Sequence, residues 1–314
     1  MTKEEIEKIN NIDIPFETLE MIYNDVESNL NKFIKNESIK YKKKVEINYR
    51  NPWSINEKYI HNAYAGKIIG YDNKYEIYIC PLLIKDLFKF AHFIAGYKHF
   101  KIKNTESERQ IFAYHLMYLW IYFISLHEYS HIISGHVDYD TNSQTIFEFI
   151  DISALSSEEL IIKQAMELEA DSTASLLFFG SFLSAKENIN KIFKNKQTDK
   201  DIIFNYLLGI NFLFHFFDSK PRNKTKPQTH PLGTERALFF NGSILKKITE
   251  FSKKTNLKEE EFQLIGSLAL IQYLNYIGLT NQEIPNVLIE FMKKMKVFDT
   301  HKVRDKYKKY RLLK

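Results

Sequence analysis

The sequence has a single cysteine, Cys80, among its 314 residues. One cysteine cannot form an intramolecular disulfide, so a disulfide-stapled secreted scaffold and a zinc module built from several cysteines are both excluded. Any metal ion would therefore be held by histidines and carboxylates. Glycine and proline are also scarce, with 10 and 7 residues, which excludes collagen-like and low-complexity architectures.

Apolar runs long enough to cross a bilayer are absent from the sequence. The longest covers 111–126 and contains His115, whereas a membrane-spanning helix needs about 18 to 20 residues. The first residues are charged and no apolar segment follows them, so no secretory signal is recognisable. We therefore expect a cytoplasmic protein with no membrane partner, and we interpret 111–126 as a buried core helix.

Charge is unevenly distributed along the chain. The formal net charge is +5, but residues 293–314 contain ten lysines and arginines against two aspartates. This segment alone carries +8, so the remaining chain carries −3. A slightly acidic body does not suit nucleic acid. We expect the C-terminal segment to be a solvated basic tail, and we expect no nucleic-acid partner.

The pattern of apolar residues predicts a mainly α protein with a small β-hairpin, an α+β fold. Helical spacing is visible in residues 3–44 and again from Leu82 nearly to the C-terminus. Between them, turn residues at 71–74 separate two stretches rich in β-branched and aromatic residues, which predicts a hairpin whose second strand ends at Pro81. We expect a helical N-terminal segment over 1–55, a core over 56–245 and a helical C-terminal segment over 246–314.

Two of the predicted helices carry most of the residues of chemical interest. The first covers about 108–133. The second begins with a capping box, because the Ser156 hydroxyl can accept from a backbone N–H while Glu159 reaches back, and it extends to about Phe182. A long polar loop is predicted over 218–235, and loops of that length inside a compact domain are often functional.

The first of these helices ends in an H-E-x-x-H sequence, in which the histidines are His127 and His131. Residues four apart lie on one helix face, so both imidazoles can bind one cation, and Zn²⁺ is the usual occupant. Glu128 lies one residue further round the helix. Its carboxylate can accept a proton from a water molecule at the metal instead of binding the metal.

A catalytic zinc site has three protein ligands and one open position, so a third ligand is required. The candidates are His136 and Glu167, and His136 is out of register with the metzincin extension, which needs a histidine at position 137. Glu167 fits better, because it shares one face of the second helix with Asp171. Asp171 would accept the ring N–H of a zinc-bound histidine. Glu169 points about 200° away from Glu167 and would be solvated.

The long loop offers a candidate oxyanion donor. It contains Thr229, His230 and Pro231, and Arg236 follows. Amide hydrolysis passes through an oxyanion, which a positioned donor stabilises. His230 or Arg236 could supply that donor from across the cleft.

These motifs together resemble the gluzincin zinc metallopeptidases, and most closely the Lit-type phage-exclusion peptidases. The resemblance rests on residues 120–131, His136, 167–171, and 229–231 with Arg236, in the same order and with comparable spacing. Residues 73–82 also resemble the strand that precedes the zinc helix in that family. The similar region covers about 60–245, and it implies a zincin-like (minigluzincin) core.

By this resemblance, the zinc ligands are His127, His131 and Glu167, and Glu128 is the general base. The resemblance also implies a cytosolic zinc endopeptidase of abortive infection, which cleaves the host's translation elongation factor Tu when a phage capsid peptide is bound to it. The Thr-His-Pro element occurs in other gluzincins, which strengthens His230 as a candidate. An extended substrate could add to the strand over 75–80 as a new edge strand.

Two alternatives stay open. The first is a gluzincin of protein quality control that acts on unfolded segments, for which broad cleavage of casein is expected. The second is a zinc-stabilised interaction module without enzymatic activity. In that case the Glu128→Gln substitution would change no phenotype.

Overall fold

A computed structural model gives the structure of the chain. It describes residues 16–41, 44–49, 63–102, 105–142, 156–192, 197–219, 230–300 and 303–312. Within these residues the protein is mainly helical and has one small sheet, which confirms the predicted mainly α, α+β class. The predicted helical residues 3–15 and most of the predicted loop, 220–229, lie outside the described part.

Helices make up most of the described elements. The strands are β1 (Glu46–Tyr49), β2 (Ala63–Lys67) and β3 (Lys74–Ile79). The helices are α1 (Phe16–Glu37), α2 (Pro81–Ile94), α3 (Glu106–Ile133), α4 (His136–Asn142), α5 (Ser157–Ile192), α6 (Asp199–Ser219), α7 (Gly233–Leu245), α8 (Ile248–Ser252), α9 (Glu259–Tyr276), α10 (Ile284–Thr300) and α11 (Val303–Tyr307). Short 3₁₀ turns follow α1 and α11, at Ser38–Lys40 and Lys308–Tyr310.

The three strands form a sheet in the order β1-β3-β2. β2 and β3 make the predicted antiparallel hairpin, and Gly70 in its turn has a φ of +85°, which favours glycine. β1 pairs with β3 in parallel, starting with Glu46 opposite Lys74, and no pattern in the sequence predicts this strand. The predicted addition of a substrate along 75–80 is therefore wrong for residues 75–77, which pair with β1 on one side and with β2 on the other.

A continuous hydrophobic core extends from Leu19 on α1 to Leu312 near the C-terminus. α3 lies at its centre, packs against α1, α2 and α5, and is buried at every position from 119 to 130. The indole N–H of Trp120 donates to the carbonyl of Gly209 on α6 (2.8 Å), which satisfies a polar group in this apolar surrounding. The prediction of a buried core helix over 111–126 is confirmed, and that stretch is part of the longer α3.

Among the described helices, α6 is the one that could cross a membrane by length and composition alone. Of its most apolar 18-residue window, 78% is buried inside the protein. It packs against α7 and α9. Its apolar surface is therefore covered by other helices, as in a core helix.

The predicted start of the second motif helix is confirmed. The N–H of Ser156 donates to Glu159 Oε2 (2.8 Å), and the N–H of Glu159 donates to Ser156 Oγ (3.2 Å), which are the reciprocal bonds of a capping box. This helix, α5, continues to Ile192, beyond the predicted end near Phe182. α3 ends at Ile133, as predicted.

The C-terminal segment is not a solvated tail over residues 303–312. Val303, Tyr307 and Leu312 are buried, and the N–H of Leu312 donates to the carbonyl of Ile133 at the end of α3 (2.9 Å). Val303 and Tyr307 share a second apolar cluster with residues of α5. The expectation of solvation is wrong here because apolar residues interrupt the basic ones and form a buried face.

Candidate metal centre

The H-E-x-x-H motif lies at the end of α3, beside α5, which carries the predicted third ligand. One helical turn separates His127 from His131, and their Nε2 atoms are 3.1 Å apart. The Glu167 carboxylate faces both rings, with Oε2 3.5 Å from His127 Nε2 and Oε1 3.4 Å from His131 Nε2. The structure therefore brings together the three residues that the sequence predicts as metal ligands.

The spacing and chemistry of these three groups fit a divalent metal ion. Ligand atoms bound tetrahedrally to zinc at its usual bond lengths lie about 3.3 Å from one another, close to the separations in this cluster. Oε2 of Glu167 is buried and accepts no hydrogen bond within the described residues. Such an oxygen is costly unless a cation compensates it. Two imidazoles and one carboxylate form a ligand set suited to zinc and also to iron(II).

Two of the three candidate ligands, Glu167 and His131, have protonation states that suit metal binding. Burial alone would raise the pKa of Glu167, but His230 and His127 lower it well below its usual range, so the carboxylate is ionised. Burial lowers the pKa of His131 well below its usual value, so its ring is neutral. Burial alone would also lower the pKa of His127, but Asp171 and Glu167 outweigh that effect and raise it to about 10. A metal ion that binds here displaces this proton.

Asp171 contacts His127 on the ring edge opposite the ligand atom, as predicted. Its Oδ1 lies 2.8 Å from His127 Nδ1. Asp171 is fully buried and accepts two hydrogen bonds from Arg236, from Nε to Oδ2 (2.7 Å) and from Nη2 to Oδ1 (2.8 Å). Burial alone would raise the pKa of Asp171, but Arg236 and His127 lower it. An ionised Asp171 favours the His127 tautomer that leaves Nε2 for the metal.

Arg236 does not lie where an oxyanion donor is expected. Its side chain is 7% exposed, both carboxylate oxygens of Asp171 accept hydrogen bonds from its guanidinium, and the group packs over the rings of Phe214 and Phe217. The prediction of a catalytic role for Arg236 is therefore corrected. Arg236 lies on α7 and binds the carboxylate of Asp171, which in turn contacts His127. Its contact with the metal cluster is therefore indirect.

His230 lies beside the cluster on its exposed side. Its Nε2 is 3.4 Å from Glu167 Oε2, and its side chain is 39% exposed. The structure thus brings this loop residue to the ligands, whereas the adjoining Thr229 lies outside the described residues. The role of His230 as an oxyanion donor stays a prediction.

Glu128 follows His127 on α3 and is 9% exposed. One residue corresponds to a 100° rotation about the helix axis, so its side chain leaves the helix in a different direction from the ligand rings. That direction suits a proton acceptor that does not bind the metal. Its role as the general base stays a prediction.

The alternative third ligand, His136, lies beside the Nδ1 edge of His131 and not beside its candidate ligand atom, Nε2. From there it cannot bind the same ion. Its Nδ1 faces His131 Nδ1 at 3.0 Å, on the ring edge away from the ligand atom Nε2. Its Nε2 is 3.4 Å from Glu169 Oε2. The expectation that Glu169 is solvated is wrong, because its side chain is 13% exposed and accepts hydrogen bonds from Tyr307 and Arg311.

Sequence reasoning missed Tyr307 and Arg311, although both contact a residue of the motif helix α5. They lie 138 and 142 positions from Glu169, so no local spacing indicates the contacts. The one available signal is the apolar spacing inside the basic tail, which indicates a packed segment.

Comparison of the chain with protein-family models, with curated proteins and with solved structures finds no match. The resemblance to the gluzincins therefore stays a prediction. The candidate site depends on the geometry of its own residues.

Proposed function

We propose that this chain is a zinc-dependent endopeptidase with a zincin-like core of the gluzincin type. The observation that carries the proposal is the convergence of His127 and His131 from α3 with Glu167 from α5. Three protein ligands are the number typical of catalytic zinc sites, whereas structural sites are closed by four. The exposure of His230 beside Glu167 indicates that solvent and a substrate can reach the cluster from that side.

Under this proposal, the residues around the cluster have distinct roles in amide hydrolysis. His127, His131 and Glu167 would hold a zinc ion, which when bound would supply Lewis acidity toward a carbonyl group and a water molecule. Glu128 accepts the proton of the attacking water and then donates it to the leaving amine. His230 donates a hydrogen bond to the carbonyl oxygen as negative charge develops on it. Asp171, held by Arg236, keeps His127 in the tautomer that binds through Nε2.

We further propose that the enzyme acts in the cytoplasm in phage exclusion, with elongation factor Tu as the substrate and a phage capsid peptide as the activator. The support for this step is the resemblance of the motifs to Lit-type peptidases. The outer strands of the described sheet are β1 and β2. An extended substrate that pairs with this sheet would therefore add to one of them and not to β3.

The Glu128→Gln variant tests the catalytic assignment. We expect it to bind as much zinc as the wild type and to lose about 10²- to 10⁴-fold in cleavage rate, because the general base is removed. Zinc content is measured by atomic emission, and cleavage is measured on purified elongation factor Tu with and without the capsid peptide. Glu106→Gln, which changes an exposed carboxylate at the other end of α3, is the matched control. Near-normal proteolysis by Glu128→Gln would refute the assignment.

The same two proteins identify the substrate. Wild type and Glu128→Gln are expressed during phage infection, and the host proteins cleaved only by the wild type are identified by mass spectrometry. Selective cleavage of elongation factor Tu is the expected result. Broad cleavage of host proteins and of casein would instead support the quality-control alternative.

One observation favours the non-enzymatic zinc module as a second candidate. His230 Nε2 is near enough to Glu167 that a small shift of this residue would make it a fourth ligand and close the site. The His230→Asn variant separates the two functions. A peptidase keeps its zinc affinity and loses about 10²- to 10³-fold in turnover. A closed structural site loses zinc affinity, and removal of the metal unfolds the protein.

A further inference from the structure

The two motif histidines, His127 and His131, differ in the group that contacts Nδ1 of each ring. His127 contacts the carboxylate of Asp171, which Arg236 of α7 holds with two hydrogen bonds. His131 has a second imidazole in the equivalent place, because its Nδ1 faces Nδ1 of His136 at 3.0 Å. His136 is 1% exposed, so a polar group must satisfy its other nitrogen inside the protein.

A carboxylate lies beyond His136, and the C-terminus holds it. Glu169 Oε2 is 3.4 Å from His136 Nε2, and it accepts a hydrogen bond from the hydroxyl of Tyr307 (2.5 Å). Its other oxygen accepts from the guanidinium of Arg311. The Tyr307 ring also packs edge-on against the His136 ring, with centroids 4.7 Å apart at 86°. We call residues 303–312, which supply both contacts, the C-terminal clamp.

These contacts allow one consistent arrangement of protons when His131 binds a metal through Nε2. The proton of the neutral His131 ring is then on Nδ1 and is donated to Nδ1 of His136. His136 consequently carries its own proton on Nε2, where it faces Glu169. The ionised Glu169 can only accept, and its partners His136, Tyr307 and Arg311 are all donors.

The clamp is fixed to the same helix end that carries the motif. The N–H of Leu312 donates to the carbonyl of Ile133, two residues after His131 (2.9 Å). Gly135 permits the close approach, because a Cβ atom there would lie 2.5 Å from the carbonyl carbon of Tyr310. The clamp therefore contacts the motif region through its backbone as well as through two side chains.

We propose that the C-terminal clamp positions His131 for metal binding. Tyr307 and Arg311 orient Glu169, Glu169 orients His136, and His136 fixes the ring direction and tautomer of His131. Tyr307 and Arg311 are positioning residues, since they act through Glu169 and His136. The inference rests on the proposed metal site and does not depend on peptidase activity.

Zinc affinity and the cobalt absorption spectrum of the full chain test the clamp. Tyr307→Phe keeps the aromatic packing and removes the hydroxyl, and Arg311→Gln removes the guanidinium. Outer hydrogen-bond partners of a metal ligand typically change affinity about 10- to 100-fold, and we expect each variant to bind zinc about tenfold more weakly. The d–d bands of the cobalt-loaded variants should also shift, because the His131 ring is reoriented. Arg311→Lys, which keeps a cation beside Glu169, should recover part of the affinity.

Lys306→Met is the matched control, because it removes an ion pair between the clamp and Glu158 of α5 without touching Glu169. It should leave zinc affinity and the cobalt spectrum unchanged. The clamp proposal is overturned if folded Tyr307→Phe and Arg311→Gln match the wild type in both measurements, or if Lys306→Met weakens zinc binding as much as they do. If the wild type binds no metal at the cluster, the proposed function fails first. A zinc-binding wild type with unaffected clamp variants overturns the clamp proposal alone.

Discussion

Asp171 and Arg236 form an ion pair that is buried directly behind His127. Breaking such a pair by neutralising one partner costs about 3–5 kcal/mol, because the other charge stays buried without compensation. We expect Asp171→Asn to lower the free energy of unfolding by that amount, as measured by urea denaturation. It should also weaken zinc binding about 10- to 100-fold, since His127 loses the acceptor that sets its tautomer.

The double variant Asp171→Leu with Arg236→Met separates the two effects. It removes both charges, so it should recover a large part of the stability that Asp171→Asn loses. Zinc binding should remain weak, because His127 still has no acceptor behind it. If Asp171→Asn retains wild-type stability and wild-type zinc affinity, the supporting role of this pair is wrong.

At the residue scale, the sequence correctly predicts which residues share one face of the same helix. His127 and His131 share a helix face because they are four apart, and the same spacing puts Glu167 and Asp171 on one face of α5. The prediction for Glu169 is wrong because helix geometry shows that Glu169 points away from Glu167 but does not show what packs against that side of the helix. That side is covered by the clamp, from a distant part of the chain.

The predicted oxyanion role of Arg236 does not match its position, for a related physical reason. The sequence shows a cation a few residues after His230, but it does not show which anion the cation meets when α7 packs on α5. The buried carboxylate of Asp171 binds Arg236, because a buried anion is paired with a cation wherever the packing allows it.

At the element scale, Gly135 joins α3 to α4 and lies against the clamp. Its φ is +83°, and a Cβ atom would lie 2.5 Å from the Tyr310 carbonyl carbon and 2.7 Å from the Arg311 nitrogen. We expect Gly135→Ala to lower the free energy of unfolding by more than about 2 kcal/mol, since it adds a backbone clash to the conformational penalty. Hydrogen exchange at the Leu312 amide should become faster, because the clash separates the clamp from Ile133.

Gly278 is the matched control for this prediction. Its φ is +88°, and nothing lies within 4 Å of where its Cβ atom would be. Gly278→Ala should therefore cost only the conformational term, about 1 kcal/mol, and should leave exchange at Leu312 unchanged. Equal losses of stability in the two variants would show that the close approach at Gly135 is not energetically important.

Elements with local signals were predicted well, and elements formed by distant pairing were not. The capping box at Ser156 and the turn between β2 and β3 depend on a few adjacent residues, and both are present. β1 has four residues, and its partner strand lies nearly thirty positions away. Its pairing is parallel and not made by a hairpin, so turn chemistry gives no indication of it.

At the scale of the whole molecule, one core includes residues of all three segments expected from the sequence. Leu19 of α1, Trp120 of α3 and Tyr273 of α9 belong to the same hydrophobic cluster. The composition predicts a core of this size. The expectation that the basic C-terminal segment is solvated is wrong, because it rests on net charge and does not consider the apolar residues within the segment. Val303 and Tyr307 are buried although lysines and arginines surround them in sequence.

The pH dependence of stability should reflect His115, which lies far along α3 from the metal cluster. Burial lowers the pKa of His115 to about 4, below its usual value of 6.5. Above pH 6.5 the ring is neutral in both states, and below it the unfolded chain takes up a proton that the folded protein does not. Stability is therefore lost as the pH falls from 6.5 towards 4. The loss at pH 5 is at most about 2 kcal/mol, since His115 is partly exposed.

His115→Gln isolates this contribution. The free energy of unfolding is measured by urea denaturation at pH 7 and at pH 5 for both proteins. The wild type should lose more stability than the variant over this range, and the difference is assigned to His115. Equal losses in the two proteins would contradict the lowered pKa.

Anomalous diffraction at the zinc edge, from crystals of the protein loaded with one equivalent of zinc, tests the central claim most directly. We expect one strong anomalous peak between α3 and α5, about 2.0–2.2 Å from His127 Nε2, His131 Nε2 and a carboxylate oxygen of Glu167. A map with no peak there, or with Glu167 turned away from a metal held by other residues, would contradict the account.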